Sequence, residues 1–386
     1  MSHNLFTLKG VVQHYAWGGF EYIPRLLHLQ NTDHKPFAEY WLGAHPNHPA
    51  KTNNTDLSQL LQTHPQFLGT DVLQKFSSLP FLLKVLDVRQ MLSIQVHPDK
   101  TSAAKEFAIE NEKGIPVTAP HRNYKDENHK PELMVALSDF WLLHGFKKKN
   151  DLQRILSSIP EFSTLVKIFA EQDYKGLYTH VMNMPQEHVN AMLQPVLDRI
   201  VPLYKNNELQ KTDESFWAAR AALHFCKNEL IDRGIFSIYF FNLLHLKKGE
   251  GIFQPEGMPH AYLEGQNIEV MANSDNVLRA GLTDKHIDVA ELMKYVKFEA
   301  TEPNVLRPAN TDHKVFESPA EEFELHQYSH GEQPEVVKTS SAEIWFLLSG
   351  ELAIESENEK LELTGGESVF VAAGTMANLK MNEKGE

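Results

Sequence analysis

The chain has 386 residues, of which 42% are hydrophobic, and this length predicts two or three domains. A formal net charge of −14 without a long Lys/Arg run argues against a nucleic-acid-binding protein, although a local basic pocket for a small anion remains compatible with it. The single cysteine, Cys226, excludes an intrachain disulfide and fits a reducing compartment. With no apolar signal region and no stretch approaching ~18 apolar residues, we expect a cytoplasmic protein that binds no membrane.

Hydrophobic periodicity divides the chain into segments. Residues 1–145 show mostly strand signals, with short apolar runs such as "PFLLKVLDV" separated by loops rich in Pro, Gly, Asn and His. Residues 150–232 show helical spacing of apolar residues. Strand signals return at "IFSIYFFNLLHLKKGEGIF" (235–253), and "DVAELMKYV" is predicted as a short helix capped by Asp288. From about residue 316 the chain is again predicted to be β.

These segments predict a mainly β protein with an α-helical insertion. Residues 1–148 and 233–315 are predicted to form a discontinuous catalytic β domain. Residues 149–232 are predicted to form a helical domain, and residues 316–386 a second β domain.

An internal repeat indicates the architecture of both β domains. The segment "GEGIFQPEGMPHA" (249–261) has the spacing Gly-x5-Pro-x-Gly-x2-His, and "GESVFVAAGTMAN" (366–378) repeats it as Gly-x5-Ala-x-Gly-x2-Ala. The first copy resembles a motif of the cupin superfamily, in which a strand–turn–strand unit delivers a metal-binding His into a small jelly-roll barrel. We therefore predict two cupin-like jelly-roll barrels. The first keeps its metal ligands, and the second has lost them, since Ala377 replaces His260.

The segment "LSIQVHPDK" (92–100) carries polar residues in strict alternation. Ser93, Gln95 and His97 are predicted to lie on one face of a strand, which would face the barrel interior. Gln95 and His97 resemble the His-x-His pair of a second cupin motif, and Glu132 resembles the acidic ligand that follows it. Together with His260 they form a mixed N/O set suited to Zn²⁺, with water filling an open position. Four unrelated polar residues would be poorly satisfied inside a barrel.

Several longer motifs resemble one enzyme family along essentially the whole chain. They are "QHYAWGG", "AEYWLGAHPNHP", "LSIQVHPDK", "ENHKPELMVAL", "PEGMPHAYLEG" and "EVMANSDNVLRAGLTDKHIDV". Together they resemble the type I mannose-6-phosphate isomerases. The resemblance implies reversible interconversion of mannose 6-phosphate and fructose 6-phosphate with one zinc ion per chain. It also implies roles for residues matched by motif: zinc ligands Gln95, His97, Glu132 and His260; a catalytic arginine, Arg279; substrate-binding residues Ser93, Lys100, His129, Lys84 and Trp17; and pocket residues Lys130, Glu269 and Asp275.

The chemistry of aldose–ketose exchange fits these residue types. A base must move a proton between C1 and C2, and the negative charge of the enediolate must be stabilised. Zinc with one anionic ligand keeps a net positive charge, and Arg279 adds a permanent cation. Lys130 and Glu269 are both candidates for the base, and the sequence does not distinguish them. Asp275 is a candidate acid/base for ring opening.

The phosphate has separate candidate contacts. Ser93 and Lys100 border the predicted metal ligands and offer a hydroxyl and an ammonium to the far end of a hexose phosphate. Trp17 is expected to form an apolar wall. The pair His45 and His48 in "AHPNHP" suggests a second metal site, but the surrounding prolines indicate a loop, and we assign none.

Two other functions remain open from the sequence. A cupin dioxygenase would use two or three His ligands and usually iron, which Gln95 disfavours. A non-catalytic sugar-binding cupin would need neither Arg279 nor a proton-transfer group. The expected partner is a small sugar phosphate, and we expect a monomer that binds no nucleic acid.

Overall fold

The computed structural model describes residues 3–309, 311–329, 335–357, 359–382 and 385–386, and it is rich in β-sheet with several helices. Its N-terminal part contains β1 (Leu5–Leu8), β2 (Val11–Gln13), α1 (Tyr22–Leu26), β3 (Glu39–Gly43), α2 (Leu57–Thr63), α3 (Thr70–Phe76), β4 (Phe81–Val88), β5 (Gln95–Val96), α4 (Lys100–Glu112), β6 (Glu132–Ala136) and β7 (Phe140–Phe146). Four helices therefore interrupt a segment that the sequence analysis predicts to be mostly β.

A helical block follows β7. It contains α5 (Lys149–Ser158), α6 (Ser163–Asn183), α7 (Gln186–Lys205), α8 (Glu214–Phe225) and α9 (Gly234–Phe240). The strand predicted to begin at Ile235 is wrong for the residues of α9. Every residue of α9 is buried, so its apolar run has no periodicity that distinguishes a buried helix from a buried strand.

The remaining elements are again mostly strands. They are β8 (Phe241–Leu246), β9 (Gly251–Gln254), β10 (His260–Ala272), β11 (Leu278–Arg279), α10 (Val289–Tyr295), β12 (Val305–Leu306), β13 (His313–Phe316), β14 (Leu325–Tyr328), β15 (Glu335–Lys338), β16 (Glu343–Phe346), β17 (Glu351–Ser356), β18 (Lys360–Thr364), β19 (Ser368–Val371) and β20 (Met376–Met381). The Asp288 cap of α10 is confirmed, because its carboxylate accepts a 2.9 Å hydrogen bond from the main-chain N–H of Glu291.

The largest sheet has eleven strands, and β10 lies at its centre. Seven strands follow the order β12-β9-β6-β10-β4-β3-β2, and β5, β7, β8 and β11 join them. The thirteen-residue β10 pairs antiparallel with β4, β5, β6 and β7. Residues from four other segments of the chain are therefore brought alongside one long strand.

The two copies of the internal repeat adopt the same backbone course. Gly249 and Gly366 precede β9 and β19 with φ of 84° and 89°. Gly257 and Gly374 follow those strands with φ of 75° and 80°. Left-handed φ values of this kind favour glycine, which explains why both glycines of each copy are retained.

The two ends of the chain are joined in one sheet. β1 lies beside β19 with Leu5 opposite Val371, and β16 lies on the other side of β19. Residues 5–8, which the sequence analysis assigns to the catalytic domain, thus belong to a C-terminal sheet. One hydrophobic cluster contains Leu8 and Leu83 together with Phe316 and Phe370, so the N-terminal and C-terminal parts share a core.

The helical block packs on the sheet through a second core. This cluster joins helix residues such as Tyr178 to Phe146 of β7, whose rings meet edge-on at 5.4 Å, and it extends to Leu263 of β10. No helix in the described ranges is both long and apolar enough to cross a membrane.

Candidate metal centre and active site

Three predicted zinc ligands meet at one buried point. His97 Nε2 lies 3.5 Å from Glu132 Oε1, and His260 Nε2 lies 3.2 Å from Glu132 Oε2. One ligand atom from each of the three residues lies within 4.8 Å of the others, and all three side chains are buried. A single ion could therefore contact all three residues.

The orientation of both imidazoles suits a metal ion. His97 Nδ1 lies 2.8 Å from the main-chain oxygen of Asn276, and His260 Nδ1 lies 2.9 Å from that of Met258. A carbonyl oxygen only accepts, so Nδ1 carries the hydrogen and Nε2 keeps its lone pair. Both Nε2 atoms are buried without a hydrogen-bond partner. Two orphaned nitrogens beside a carboxylate are the donor set that zinc prefers, so these residues fit the metal.

Gln95, the fourth predicted ligand, is placed by strand pairing. The predicted strand over residues 92–97 is shorter in the structure, where β5 has two residues. Gln95 lies opposite His260 of β10 on one side and Arg279 of β11 on the other. The backbone of the half-buried Gln95 therefore lies between a predicted metal ligand and the predicted catalytic arginine.

The charge states of the ligands also suit a metal ion. Burial lowers the pKa of His97 to about 4, so its imidazole is neutral near pH 7. Burial by itself would raise the pKa of Glu132, but the neighbouring charge of Lys130 outweighs it and holds that pKa well below its usual value. Metal binding requires neutral imidazole and ionised carboxylate, and both are present.

Asn276 ties His97 to the loop that leads to Glu132. Its fully buried side chain donates hydrogen bonds to the main-chain oxygens of Asp126 and Asn128, both at 2.8 Å. Its Oδ1 accepts a 2.7 Å bond from the Lys125 N–H, while its main-chain oxygen accepts from His97. Asn276 lies within the motif "EVMANSDNVLRAGLTDKHIDV", but no role is predicted for it from the sequence.

Lys84 and Glu269 form a buried ion pair beside the metal ligands. They lie opposite each other on β4 and β10, and Lys84 Nζ donates to Glu269 Oε2 at 3.2 Å. The Tyr262 hydroxyl donates to Glu269 Oε1 at 2.8 Å. Burial, followed by the charge of Glu132, raises the pKa of Glu269. Both oxygens of this carboxylate are therefore held, and its proton affinity is increased.

Lys130 and Arg279 supply two further cations. Lys130 is buried, and its Nζ lies 3.1 Å from Glu132 Oε1. Arg279 is half-buried, and no carboxylate oxygen of the described residues lies within 4 Å of its guanidinium. Burial, followed by the charge of Arg279, lowers the pKa of Lys285, a residue that the sequence analysis missed although "RAGLTDKHIDV" contains it. The positive charges of Arg279 and Lys285 are thus close enough to repel each other.

Asp275 lies between β10 and β11 and contacts a residue left unassigned by the sequence analysis. His45 Nε2 is 3.3 Å from Asp275 Oδ2. Burial by itself would raise the pKa of Asp275, but the hydrogen bond from His45 and the charges of Lys130 and Lys84 lower it. The segment "AHPNHP" therefore belongs to the site through His45.

Comparison with known proteins identifies the family. Residues 5–149 match the catalytic domain of phosphomannose isomerase type I. The mannose-6-phosphate isomerase of Escherichia coli K12 is 35% identical over an alignment of 378 positions that covers 94% of this chain and 93% of that protein. The chain belongs to the mannose-6-phosphate isomerase family. The human member is 31% identical over 415 residues, with 98% and 96% of the two chains covered.

A solved structure extends the likeness to the whole fold. The mannose 6-phosphate isomerase from Salmonella typhimurium, bound to its substrate F6P and to zinc, superimposes with a TM-score of 0.88. It is 32% identical and covers 99% of this chain and 98% of its own. The predicted family is therefore confirmed by sequence and by structure.

Two predicted substrate contacts of this family member meet at Glu322, which the sequence analysis missed. Glu322 lies between β13 and β14, and its Oε1 is 2.7 Å from His129 Nε2 and 3.7 Å from Lys100 Nζ. Burial by itself would raise the pKa of this carboxylate, but His129 and then Lys100 lower it. No motif signals Glu322, because it reaches the rim of the site from the C-terminal part of the chain.

The last two predicted substrate contacts, Ser93 and Trp17, are half-buried. Ser93 comes two residues before Gln95 and outside β5. Trp17 packs against a buried cluster that contains Leu86, and its ring stacks on Tyr15 at 5.9 Å. Trp17 thus contacts the core while part of its surface stays exposed.

Proposed function

We propose that this chain is a zinc-dependent isomerase that interconverts mannose 6-phosphate and fructose 6-phosphate by proton transfer through an enediolate. The observation that carries the proposal is the buried group of His97, Glu132 and His260, with two unpaired Nε2 atoms beside buried proton-transfer groups. The names of similar proteins and the substrate of the Salmonella structure support the choice of sugar phosphate.

Gln95, His97, Glu132 and His260 would hold one zinc ion. When bound, zinc supplies Lewis-acid stabilisation for negative charge on the sugar oxygens. Glu132 is the one anion in this set, so the set does not cancel the charge of the metal. A neutral amide at Gln95 is consistent with that requirement.

We assign the base to Glu269, with Lys130 as the alternative. The raised pKa of Glu269 brings its proton affinity closer to that of a base working near neutral pH. Lys84 and Tyr262 each donate to one of its oxygens, which fixes the carboxylate for transfer between neighbouring carbons. Lys130 lies instead against Glu132, a carboxylate that zinc binding would engage.

Arg279 is proposed to stabilise the enediolate, because its guanidinium is half-buried and is not neutralised by a nearby carboxylate of the described residues. Asp275 is proposed to act in ring opening. Ser93, Lys100 and His129 are proposed to contact the phosphate, with Trp17 as an apolar wall. Lys285, beside Arg279, is a second candidate for the phosphate, because Lys100 already shares Glu322 with His129.

The architecture we propose is two cupin-like jelly-roll barrels and a helical domain. The catalytic barrel comprises residues 1–148 and 233–315 except β1, which pairs with β19 of the second barrel. The helical domain comprises residues 149–232 and the second barrel residues 316–386. The shared backbone course of the two repeat copies supports this assignment. We propose further that the protein is a cytoplasmic monomer that binds no nucleic acid, as its charge of −14 and single cysteine suggest.

The test is a coupled isomerase assay on mannose 6-phosphate before and after treatment with a chelator. Activity should disappear with the chelator and return with added zinc. His97→Ala and His260→Ala should lose most bound zinc by elemental analysis, whereas His188→Ala, an exposed histidine of α7, should keep it. A zinc-loaded chain without turnover would refute the proposal, and sugar binding without turnover would instead indicate a non-catalytic cupin.

A further inference from the structure

We infer that His45 is a positioning residue for opening of the sugar ring, acting through Asp275. The inference rests on the proposed isomerase function, since a pyranose must open before a proton can move between C1 and C2. The histidines of "AHPNHP" have no role predicted from the sequence, and the structure places one of them, His45, against a carboxylate of the site.

The hydrogen bonds of His45 define its tautomer. Its Nδ1 accepts from the main-chain N–H of Asn47 at 3.3 Å, and an amide N–H can only donate. The ring hydrogen is therefore on Nε2, which lies 3.3 Å from Asp275 Oδ2 and donates to it. Each ring nitrogen has one partner, and the neutral imidazole presents a fixed donor to the carboxylate.

Packing fixes the ring that makes this donation. His45 is 5% exposed and meets the Trp41 ring edge-on at 4.8 Å. Trp41 lies opposite Lys84 in the sheet, and Lys84 Nζ is 5.1 Å from the centre of the Trp41 ring. His45 therefore belongs to the same wall of the site as the Lys84–Glu269 ion pair.

Asp275 and Glu269, the two candidate acid/base carboxylates, differ in their exposure to solvent. The side chain of Asp275 is 45% exposed, and its main-chain N–H is anchored by a 2.7 Å hydrogen bond to Asp126 Oδ2. The contact with His45 uses Oδ2 and leaves Oδ1 for a sugar hydroxyl. Glu269 is buried with both oxygens occupied. Asp275 is therefore placed to accept a proton from a sugar hydroxyl near the mouth of the site. Glu269 is placed to accept a proton from a sugar carbon deeper inside.

Ring opening with these residues is balanced. The O1 hydroxyl gives its proton to the Asp275 carboxylate as the C1–O5 bond breaks and the C1=O1 double bond forms. O5 takes a proton from a water molecule, and the resulting hydroxide recovers the proton from Asp275. His45 gains and loses no proton; its Nε2–H holds the carboxylate in place throughout.

The test is the isotope effect on kcat with mannose 6-phosphate deuterated at C2. His45→Leu should lower kcat about 10²-fold with zinc content unchanged, and the isotope effect should be close to 1. The reason is that ring opening, which does not break the C2–H bond, becomes the slow step. His45→Gln keeps an N–H donor in reach of Asp275 and should recover at least part of the lost kcat. This variant tests the inference if the Leu variant folds poorly.

His48→Leu is the matched control, since the exposed ring of His48 lies 6.1 Å from His45 in the same loop. This variant should keep the wild-type kcat. A His45→Leu enzyme with kcat within twofold of wild type would overturn the inference. So would a lowered kcat with an isotope effect clearly above 1, because proton transfer at C2 would then limit the rate. Absence of turnover in the zinc-loaded wild-type chain would instead refute the proposed function itself.

Discussion

Replacing Asn276 by Leu should weaken zinc binding about 10- to 100-fold although no ligand side chain is altered. Asn276 is fully buried, and its main-chain oxygen holds His97 Nδ1 at 2.8 Å. Its side chain fixes that oxygen relative to the loop leading to Glu132. Leucine keeps the approximate volume and removes the hydrogen bonds, so the position of His97 relative to Glu132 becomes less defined.

The size of the effect follows from the bonds removed. Asn276 makes side-chain hydrogen bonds of 2.8, 2.8 and 2.7 Å to the backbone of residues 125–128. At about 1 kcal/mol each, about 3 kcal/mol of restraint on this loop is lost. A 10- to 100-fold loss of affinity corresponds to about 1.4–2.8 kcal/mol, which lies within that amount.

The assay is competition for zinc between the metal-free protein and a chelating dye, with circular dichroism to verify folding. Asn267→Leu is the control, because Asn267 is equally buried but its Oδ1 has no hydrogen-bond partner. This control should bind zinc as the wild type does. Wild-type affinity in a folded Asn276→Leu protein would refute the reasoning. Equal weakening in both variants would attribute the loss to general destabilisation.

Three further predictions test the charges of the site. Arg279→Ala should lower kcat about 10²-fold or more while zinc content stays near wild type, and an unchanged kcat would remove Arg279 from the mechanism. Lys100→Ala should raise KM for mannose 6-phosphate and leave binding of mannose unaffected. If Lys285→Ala shows this pattern and Lys100→Ala does not, the phosphate binds near Lys285 and Arg279 and not near Lys100. In the zinc-free protein, burial lowers the pKa of both His97 and His144 from 6.5 to about 4. The unfolded chain then binds more protons in this range, so the free energy of unfolding should fall as pH drops from about 6.5 to about 4. Urea unfolding at several pH values measures this free energy. His144→Leu should make its dependence on pH shallower. A free energy of unfolding that does not change between about pH 6.5 and about 4 would contradict the prediction.

The sequence predicts the elements that carry strong periodicity or fixed turn residues. The helical block, the Asp288 cap and the matching turns of the repeat follow from local patterns. The helix α9 does not, because a run that is buried on all sides has the same composition in a helix and in a strand. The position of β1 beside β19 also leaves no local signal, since pairing partners so far apart are chosen by tertiary packing.

The site shows the same division. His97, Glu132 and His260 could be predicted because metal ligands need particular side chains at particular spacings. Glu322 and the contact of His45 with Asp275 could not, because each joins segments that are distant in the sequence through an ordinary surface-type residue. Which charged or hydrogen-bonding residues meet Glu322 and Asp275 is decided only when the chain folds.

The pairing of β1 with β19 has a consequence for synthesis on the ribosome. The hydroxyl of Ser368 donates to the main-chain oxygen of Leu8, a bond between residues 360 positions apart. β1 therefore leaves the ribosome about 360 residues ahead of its partner, and it cannot pair until those residues have been translated. During that delay its backbone edge is open to pairing with other nascent chains, so chaperone supply and translation speed should affect the yield of this protein in addition to its final stability.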